Sequence, residues 1–548
     1  MNTAHTDTFV HDNLPPLHLQ PEFIFELPEL EFPERMNCAV ELLDHAITKG
    51  YGSHPCIQSA QITWTYQDLL DKANQFAHVL VDDLGLIPGN RVLLRSANTP
   101  EMVAAWFAVV KAGGIAVATM PLLRSLELKQ IIDKALITHA ICDFSLKDDL
   151  IKAQEECNTH SLKHISFFNS HKTHLSQEPS TEHNHHLLEA AAELKPKQFE
   201  AFNSLATDCC ILAFTSGTTG VPKATIHAHR DVMAICACWP QSILKPNAQD
   251  IFIGSPPIAF TFGLGGLILF PMSVGASVVL LEKASPKDLI AGIHQYKATV
   301  LFTAPTSYRQ LALEGLVDKH SSLRKCVSAG EALPGSTREL WRNATGIEII
   351  DGIGTTEMLH IFISANEEDA IPGATGRVVK GYKACVLDEN GAELPPGKIG
   401  HLAVKGPTGC RYLNDDRQQK YIKNGWNVTG DAYLLDDKGY FHYQSRTDDM
   451  IISSGYNIAG PEIEACLLTH ESVAECAVIG VPDDARGSVV KAFIVVKENN
   501  TPNEHLVKAL QDHVKAQLAP YKYPRQIEFV QSLPKTETGK IQRFKLRK

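Results

Sequence analysis

Long apolar runs are missing from this 548-residue chain, although 44% of its residues are hydrophobic. No stretch reaches the roughly 20 apolar residues that span a bilayer, so no membrane partner is expected. A positive balance is missing too. The chain carries 51 Lys and Arg against 62 Asp and Glu, a formal charge of -11. A nucleic-acid backbone would be repelled overall, while small anions can still be held by local donors. The first residues, Met1 to Asp7, lack a basic start and an apolar core, so no secretory leader is read there. The 13 cysteines have no framework spacing, in a chain too large to need staples. Free thiols and a cytoplasmic setting are expected. No internal repeat is found, and monomer and homodimer both stay open.

A chain of this length divides into several domains. Residues 1 to about 35, rich in Pro and Glu, read as an extended arm laid on a surface. Beyond it, helical and strand patterns alternate. Leu69, Leu70, Ala73, Phe76, Ala77 and Leu80 fall at helical spacing, with Thr65 as N-cap and Asp68 three residues on. Strands are read at 90–95, 115–118, 299–303, 325–328 and 347–351, and a helix at 102–112 ended by Gly113-Gly114. Such alternation predicts a mostly parallel sheet with helices on both faces. The polar segment from about 145 to 200, with His171, His174, His183, His185 and His186, reads as a solvated insertion. Beyond about 375, frequent Gly and Pro and short alternating strands predict a β subdomain. The fold class is therefore α/β: a large N-terminal domain of doubly wound α/β layers (1–446, with the β subdomain at about 375–446), then a small mobile α+β C-terminal domain (447–548).

The stretch that organises the chain is Thr215-Ser216-Gly217-Thr218-Thr219-Gly220-Val221-Pro222-Lys223. It follows the apolar run Cys210 to Phe214, read as a buried strand, and precedes a helical segment beginning near His229. Glycines let backbone N–H groups converge on one point, and hydroxyls and a lysine add donors and charge. That inventory suits a polyphosphate. It is not a Walker A loop, because Pro222 stands where that motif needs glycine and Ala224 follows Lys223. Three further loops, at Ala304-Pro305-Thr306, Ala329-Gly330-Glu331-Ala332 and Gly352-Ile353-Gly354-Thr355-Thr356-Glu357, follow predicted strands. In a doubly wound sheet such loops line one crevice.

Thr215 to Lys223, Gly354-Thr355-Thr356-Glu357, Thr429-Gly430-Asp431, Arg446-Thr447-Asp448-Asp449 and the tail lysine Lys540 agree in order and spacing. Together they resemble the AMP-forming adenylating enzymes across essentially the whole chain. The segments Ala259 to Gly266, Gly330 to Pro334, Lys405 to Tyr412 and Gly455 to Glu462 look like the benzoate-CoA and 2-aminobenzoate-CoA ligase branch.

The resemblance implies an ATP-dependent aryl-CoA ligase using ATP, Mg2+ and CoA. The leading acid is 2-aminobenzoate, then benzoate or a hydroxybenzoate; loading of a carrier protein is the alternative. It implies that Thr215, Ser216, Gly217, Thr218, Thr219 and Lys223 cradle phosphates, and that Thr356 donates to the α-phosphate. Thr355 belongs to the same nucleotide site, and Glu357 holds Mg2+. Gly330, Glu331, Ala332, Asp351, Gly352 and Ile353 frame adenine, where many relatives place an aromatic in the position of Ile353. Asp431 receives the ribose hydroxyls, with Arg446 nearby. Lys540 is the adenylation cation, Asp448 the hinge, and Gly455 with Tyr456 the CoA passage. The acyl pocket is expected from Phe260, Thr261, Phe262, Gly263 and Ser328, with His227, Trp239 and Thr306 as further candidates. Many relatives carry a His in the 256–263 loop. This chain has none there, which points to a closed aryl site.

Overall fold

The computed structural model describes residues 2–169, 185–215, 222–447, 449–453, 456–483, 487–498, 500–518, 522–535 and 541–547. Two mixed α/β sheets carry the large domain. In the first, seven strands run in the order His185–Leu187, His164–Phe168, His139–Asp143, Arg91–Arg95, Ile115–Thr119, Cys209–Thr215, Lys223–Ala228. All pairs are parallel except the last, an antiparallel hairpin. The run Arg91–Arg95 is wholly buried, as a strand covered by helices on both faces must be.

In the second sheet, Ile349–Gly354, Lys325–Ser328, Val300–Thr303, Ile251–Gly254, Ser277–Val279 and Pro55–Gln58 are parallel neighbours. Antiparallel strands close both edges, Thr63–Thr65 at one and Ile361–Ser364 with Arg377–Val378 at the other. The predicted strands at 299–303, 325–328 and 347–351 thus lie side by side, with their carboxyl ends on one edge of the layer.

The helix Tyr66–His78 starts where its sequence signals place it. Thr65 accepts from the Asp68 N–H, and the Asp68 carboxylate accepts from the Thr65 N–H. Leu69, Ala73, Phe76 and Ala77 are buried along its inner face, and Leu80 is buried just beyond its end. The helix Pro100–Lys111 is capped by Thr99, with Pro100 in its first turn. Residues 145–200 depart from expectation. Rather than a solvated insertion, their described parts include the helix Lys147–Glu156 and the strand His164–Phe168, paired on both sides, whose Ile165, Phe167 and Phe168 are buried. The apolar run Ile165 to Phe168 outweighs the polar sequence around it. His171, His174 and His183 lie outside the described residues.

The predicted β subdomain is a five-stranded antiparallel sheet of Lys383–Leu387, Ile399–Lys405, Trp426–Leu435, Ile422–Lys423 and Phe441–Arg446. The N-terminal arm lies across it. Phe23 bridges Gly406, Arg230 and Arg411 cover the Phe23 ring, and Glu22, Glu26 and Glu29 pair with Lys405, Lys383 and Lys380. A separate C-terminal α+β domain follows. Its three-stranded sheet, Val473–Asp483, Gly487–Val496 and Gln526–Phe529, packs against the helices Gly460–Leu467 and Glu504–Gln517. All 13 cysteines are buried and free. Among the described residues no helix is long and apolar enough to cross a membrane.

Candidate active site

The strand before the organising stretch does not run straight into a helix. It turns back first: Cys209–Thr215 pairs antiparallel with Lys223–Ala228, Thr215 opposite Lys223. The segment Lys223–Ala228 is short and buried beyond its first residue, and so reads equally as strand or helix approach without the partner that decides it. The segment around Tyr412 then adds to this hairpin. Ile226 N–H donates to the Arg411 carbonyl at 2.8 Å and Leu413 N–H to the Ala224 carbonyl at 2.9 Å.

Facing the hairpin, Ile349–Gly354 continues as a strand through Gly352-Ile353-Gly354, where a loop is predicted. It pairs antiparallel with Ile361–Ser364. Glycine permits this close return: a Cβ on Gly354 would lie 2.6 Å from the His360 backbone, and one on Gly352 2.8 Å from Ile361. The tight turn between carries Thr355, Thr356 and Glu357. Thr355 Oγ1 accepts from the Met358 N–H at 3.2 Å.

Here two distant motifs meet. Lys223 Nζ lies 3.8 Å from Glu357 Oε1. Tyr412 joins them: Lys223 Nζ donates to the Tyr412 hydroxyl at 3.0 Å, and that hydroxyl donates to Glu357 Oε1. The Lys223 ammonium also stands 4.9 Å from the centre of the Tyr412 ring. Burial, and then the adjacent Glu357 charge, push the Tyr412 phenol far up, so it stays a donor. Glu357 is itself buried. His227 Nε2 lies 2.8 Å from the Thr356 carbonyl oxygen, which fixes that nitrogen as the protonated one. Burial lowers the His227 pKa to about 4, so the ring is neutral.

Tyr421 links this cluster to the β subdomain. Its hydroxyl is 3.4 Å from Thr355 Oγ1, and burial, then the Glu357 charge, hold its phenol well above the usual range. Asp431 and Arg446 face each other in register, Arg446 Nη1 donating to Asp431 Oδ1 at 3.1 Å. On the neighbouring strand ends, Asp351 lies beside Ser328. Burial raises the Asp351 carboxyl to about 7, only partly offset by Arg338 and Ser328. Gly330 adopts φ +91, a left-handed turn that suits glycine. Glu331 next to it accepts from Thr306 Oγ1 at 2.8 Å, and Ala332 is exposed. Ser328 thus stands beside Asp351 on the strand ends.

Phe260, Thr261, Phe262 and Gly263 open the short helix Thr261–Leu264. Phe262 stands 5.6 Å from Phe302 and 5.8 Å from His360. A Cβ on Gly263 would lie 2.0 Å from the Pro257 carbonyl oxygen, so this bend needs glycine. His360 is a residue that the sequence reading missed. Its ring lies among Phe262, Phe270 at 4.5 Å and Trp239 at 5.7 Å. Neither ring nitrogen makes a hydrogen bond, and the Phe262 backbone offsets only part of the effect of burial. Burial lowers its pKa to about 3. The signal was one polar residue in the apolar run Met358 to Ile363, directly after Glu357. A histidine does reach the 256–263 loop, then, from the turn before a distant strand. Tyr412 and Tyr421 were also missed as site residues.

Ser216, Gly217, Thr218, Thr219, Asp448, Gly455 and Lys540 lie outside the described residues, and Tyr456 is described by backbone alone. Lys535 and Ile541, on either side of Lys540 in sequence, form an antiparallel bridge, and Ile541 packs on the C-terminal core.

The family model described as AMP-binding enzyme matches residues 44–412, and that of the AMP-binding enzyme C-terminal domain matches residues 462–540. The chain is 34% identical to the benzoate–CoA ligase of Thauera aromatica, over 95% of this chain and 97% of the relative. Among solved structures it resembles the anthranilate CoA ligase AuaEII in complex with anthranoyl-AMP. There the TM-score is 0.88 and the identity 34%, over 95% of this chain and 98% of that one. A benzoate CoA ligase from Burkholderia xenovorans LB400 superposes with TM-score 0.84 at 30% identity, over 94% of this chain and 100% of that one.

Proposed function

The chain belongs to the AMP-binding enzyme family, and from that premise we propose that it is an ATP-dependent aryl-CoA ligase whose preferred acid is 2-aminobenzoate. A carboxylate is a poor electrophile because its charge is delocalised. Its oxygen attacks the α-phosphorus of ATP, pyrophosphate leaves, and a mixed anhydride results. The sulfur of CoA then attacks the acyl carbon and AMP leaves. The first step brings an anion to a polyanion, so the site must supply cations and donors where charge shifts.

The observation that carries this reading is the Lys223–Tyr412–Glu357 contact. It closes the phosphate stretch onto the Thr355-Thr356-Glu357 turn. In the proposed roles, Lys223 and the loop before it hold the β- and γ-phosphates, and Thr356 donates to the α-phosphate. Gly330 to Ala332 and Asp351 to Ile353 frame adenine. Asp431, held by Arg446, receives the ribose hydroxyls. Glu357 fits Mg2+: it is a hard oxygen donor, with Oε2 free of hydrogen bonds among the described residues. Bound there, the cation would neutralise charge on the phosphates. Lys540 brings a second positive charge to the reacting carboxylate, from the C-terminal domain taken to begin after Arg446. Asp448 is its hinge, and Gly455 with Tyr456 borders the path of the CoA thiol.

The aryl preference rests on the pocket. Phe262 and Trp239 offer faces and edges to a ring. His360 is neutral and unsatisfied, so one nitrogen can accept from an ortho-amino group. Benzoate and hydroxybenzoates are the runners-up. The test is pyrophosphate release over aromatic and aliphatic acids, with and without CoA. Highest kcat/KM for 2-aminobenzoate, with thioester formed only when CoA is present, supports the proposal. An adenylate that accumulates and never passes to CoA would move the assignment to carrier loading.

A further inference from the structure

Three groups that the ligase chemistry does not use meet in the core. Cys38 opens the helical segment after the N-terminal arm, Cys210 is the second residue of the strand Cys209–Thr215, and His229 is the first of the helix His229–Trp239. Cys38 Sγ lies 4.0 Å from Cys210 Sγ and 3.3 Å from His229 Nδ1. All ligand atoms of the trio fall within 4.8 Å of one another. Exposure is 0%, 0% and 1%.

We propose that Cys38, Cys210 and His229 form a structural site for a borderline-soft divalent cation of the zinc class, joining the N-terminal segment to the base of the phosphate hairpin. The spacing is the first argument. With bonds of about 2.3 Å to sulfur and about 2.0 Å to nitrogen, the edges of a tetrahedron are about 3.8 Å between sulfurs and about 3.5 Å from sulfur to nitrogen. The two observed edges differ from these by a few tenths of an ångström. Ligand type is the second, since thiolate with imidazole selects zinc over magnesium or calcium. Charge is the third. Two thiolates and one divalent cation sum to zero, so a closed site buries no net charge. Binding releases both thiol protons. The Cys38 N–H, which now donates to His229 Nδ1 at 3.2 Å, would turn to a thiolate sulfur, and a water would fill the fourth corner.

The cation would act on the hairpin rather than on the chemistry. Cys210 and His229 sit at the two base ends of the hairpin whose tip carries Thr215 and Lys223. The test uses the full chain, stripped with a chelator under reducing conditions and then given one equivalent of Zn2+ or Cd2+. One ion retained per chain after gel filtration, a thiolate-to-cadmium charge-transfer band and a raised Tm are expected. Cys38→Ser and Cys210→Ser should lose the band, while Cys56→Ser, at another buried cysteine, should keep it. Should either serine variant fail to fold, X-ray absorption on the Zn2+-loaded natural chain decides, with two sulfur neighbours expected. No retained ion, a band that survives Cys38→Ser, or a sulfur-free zinc shell overturns the site.

Discussion

His360 and Tyr412 show how single side chains acquire meaning from what surrounds them. A histidine among Phe262, Phe270 and Trp239 is costly unless a ligand satisfies it. His360→Phe keeps the ring and removes both nitrogens. The expected result is a fall of about tenfold or more in kcat/KM for 2-aminobenzoate relative to benzoate, as a site built to hydrogen-bond loses its partner. Pyrophosphate release with the two acids measures it, and equal loss on both would make His360 a packing residue. Tyr412→Phe leaves a ring beneath Lys223 but takes the donor from buried Glu357. It should cost about 1–3 kcal/mol of stability, read from the urea midpoint, and weaken ATP use. Unchanged values for both would separate Tyr412 from the site.

At the scale of elements, two antiparallel returns decide the site: the hairpin ending at Ala228, and the strand Ile361–Ser364 lying against Ile349–Gly354. The second depends on glycine. Gly354→Ala would push a Cβ into the His360 backbone at 2.6 Å. A loss of about 1–3 kcal/mol is expected, along with displacement of the Thr355-Thr356-Glu357 turn. The measurements are Tm and the adenylation rate, both of which should fall. A variant with unchanged Tm would show that the strand end yields freely.

At the scale of the whole molecule, the two half-reactions and the pH dependence of stability are the readouts. Lys540→Ala should lower adenylate formation on the order of a hundredfold to a thousandfold, yet still convert a supplied acyl-adenylate to thioester. Equal loss in both steps would remove Lys540 from its proposed role. For stability, His139, His227 and His360 are depressed by burial to about 4, about 4 and about 3, while Asp351 is raised to about 7. From about pH 4 to 6.5 the unfolded chain therefore holds three more protons on these imidazoles and one fewer on Asp351, a net two. Stability should therefore drop as the pH is lowered through that window, by up to about 3 kcal/mol per unit. Tm followed from pH 7 to 5 tests this, and a flat profile would contradict the buried neutral histidines.

The sequence by itself determined the strands at 299–303 and 325–328, the cap at Thr65, the β subdomain and the order of the motifs. Each of these rests on local periodicity, turn chemistry or spacing, which a short window contains. It misjudged 145–200, because composition averaged away the buried run at Ile165 to Phe168. Only the tertiary structure decided that Lys223 begins a return strand, that Gly352 to Gly354 continue one, and that His360 turns towards Phe262. Each of these is set by a partner strand or ring far away in the chain. Burial and pairing are properties of both members of a contact, and no window around one member contains the other.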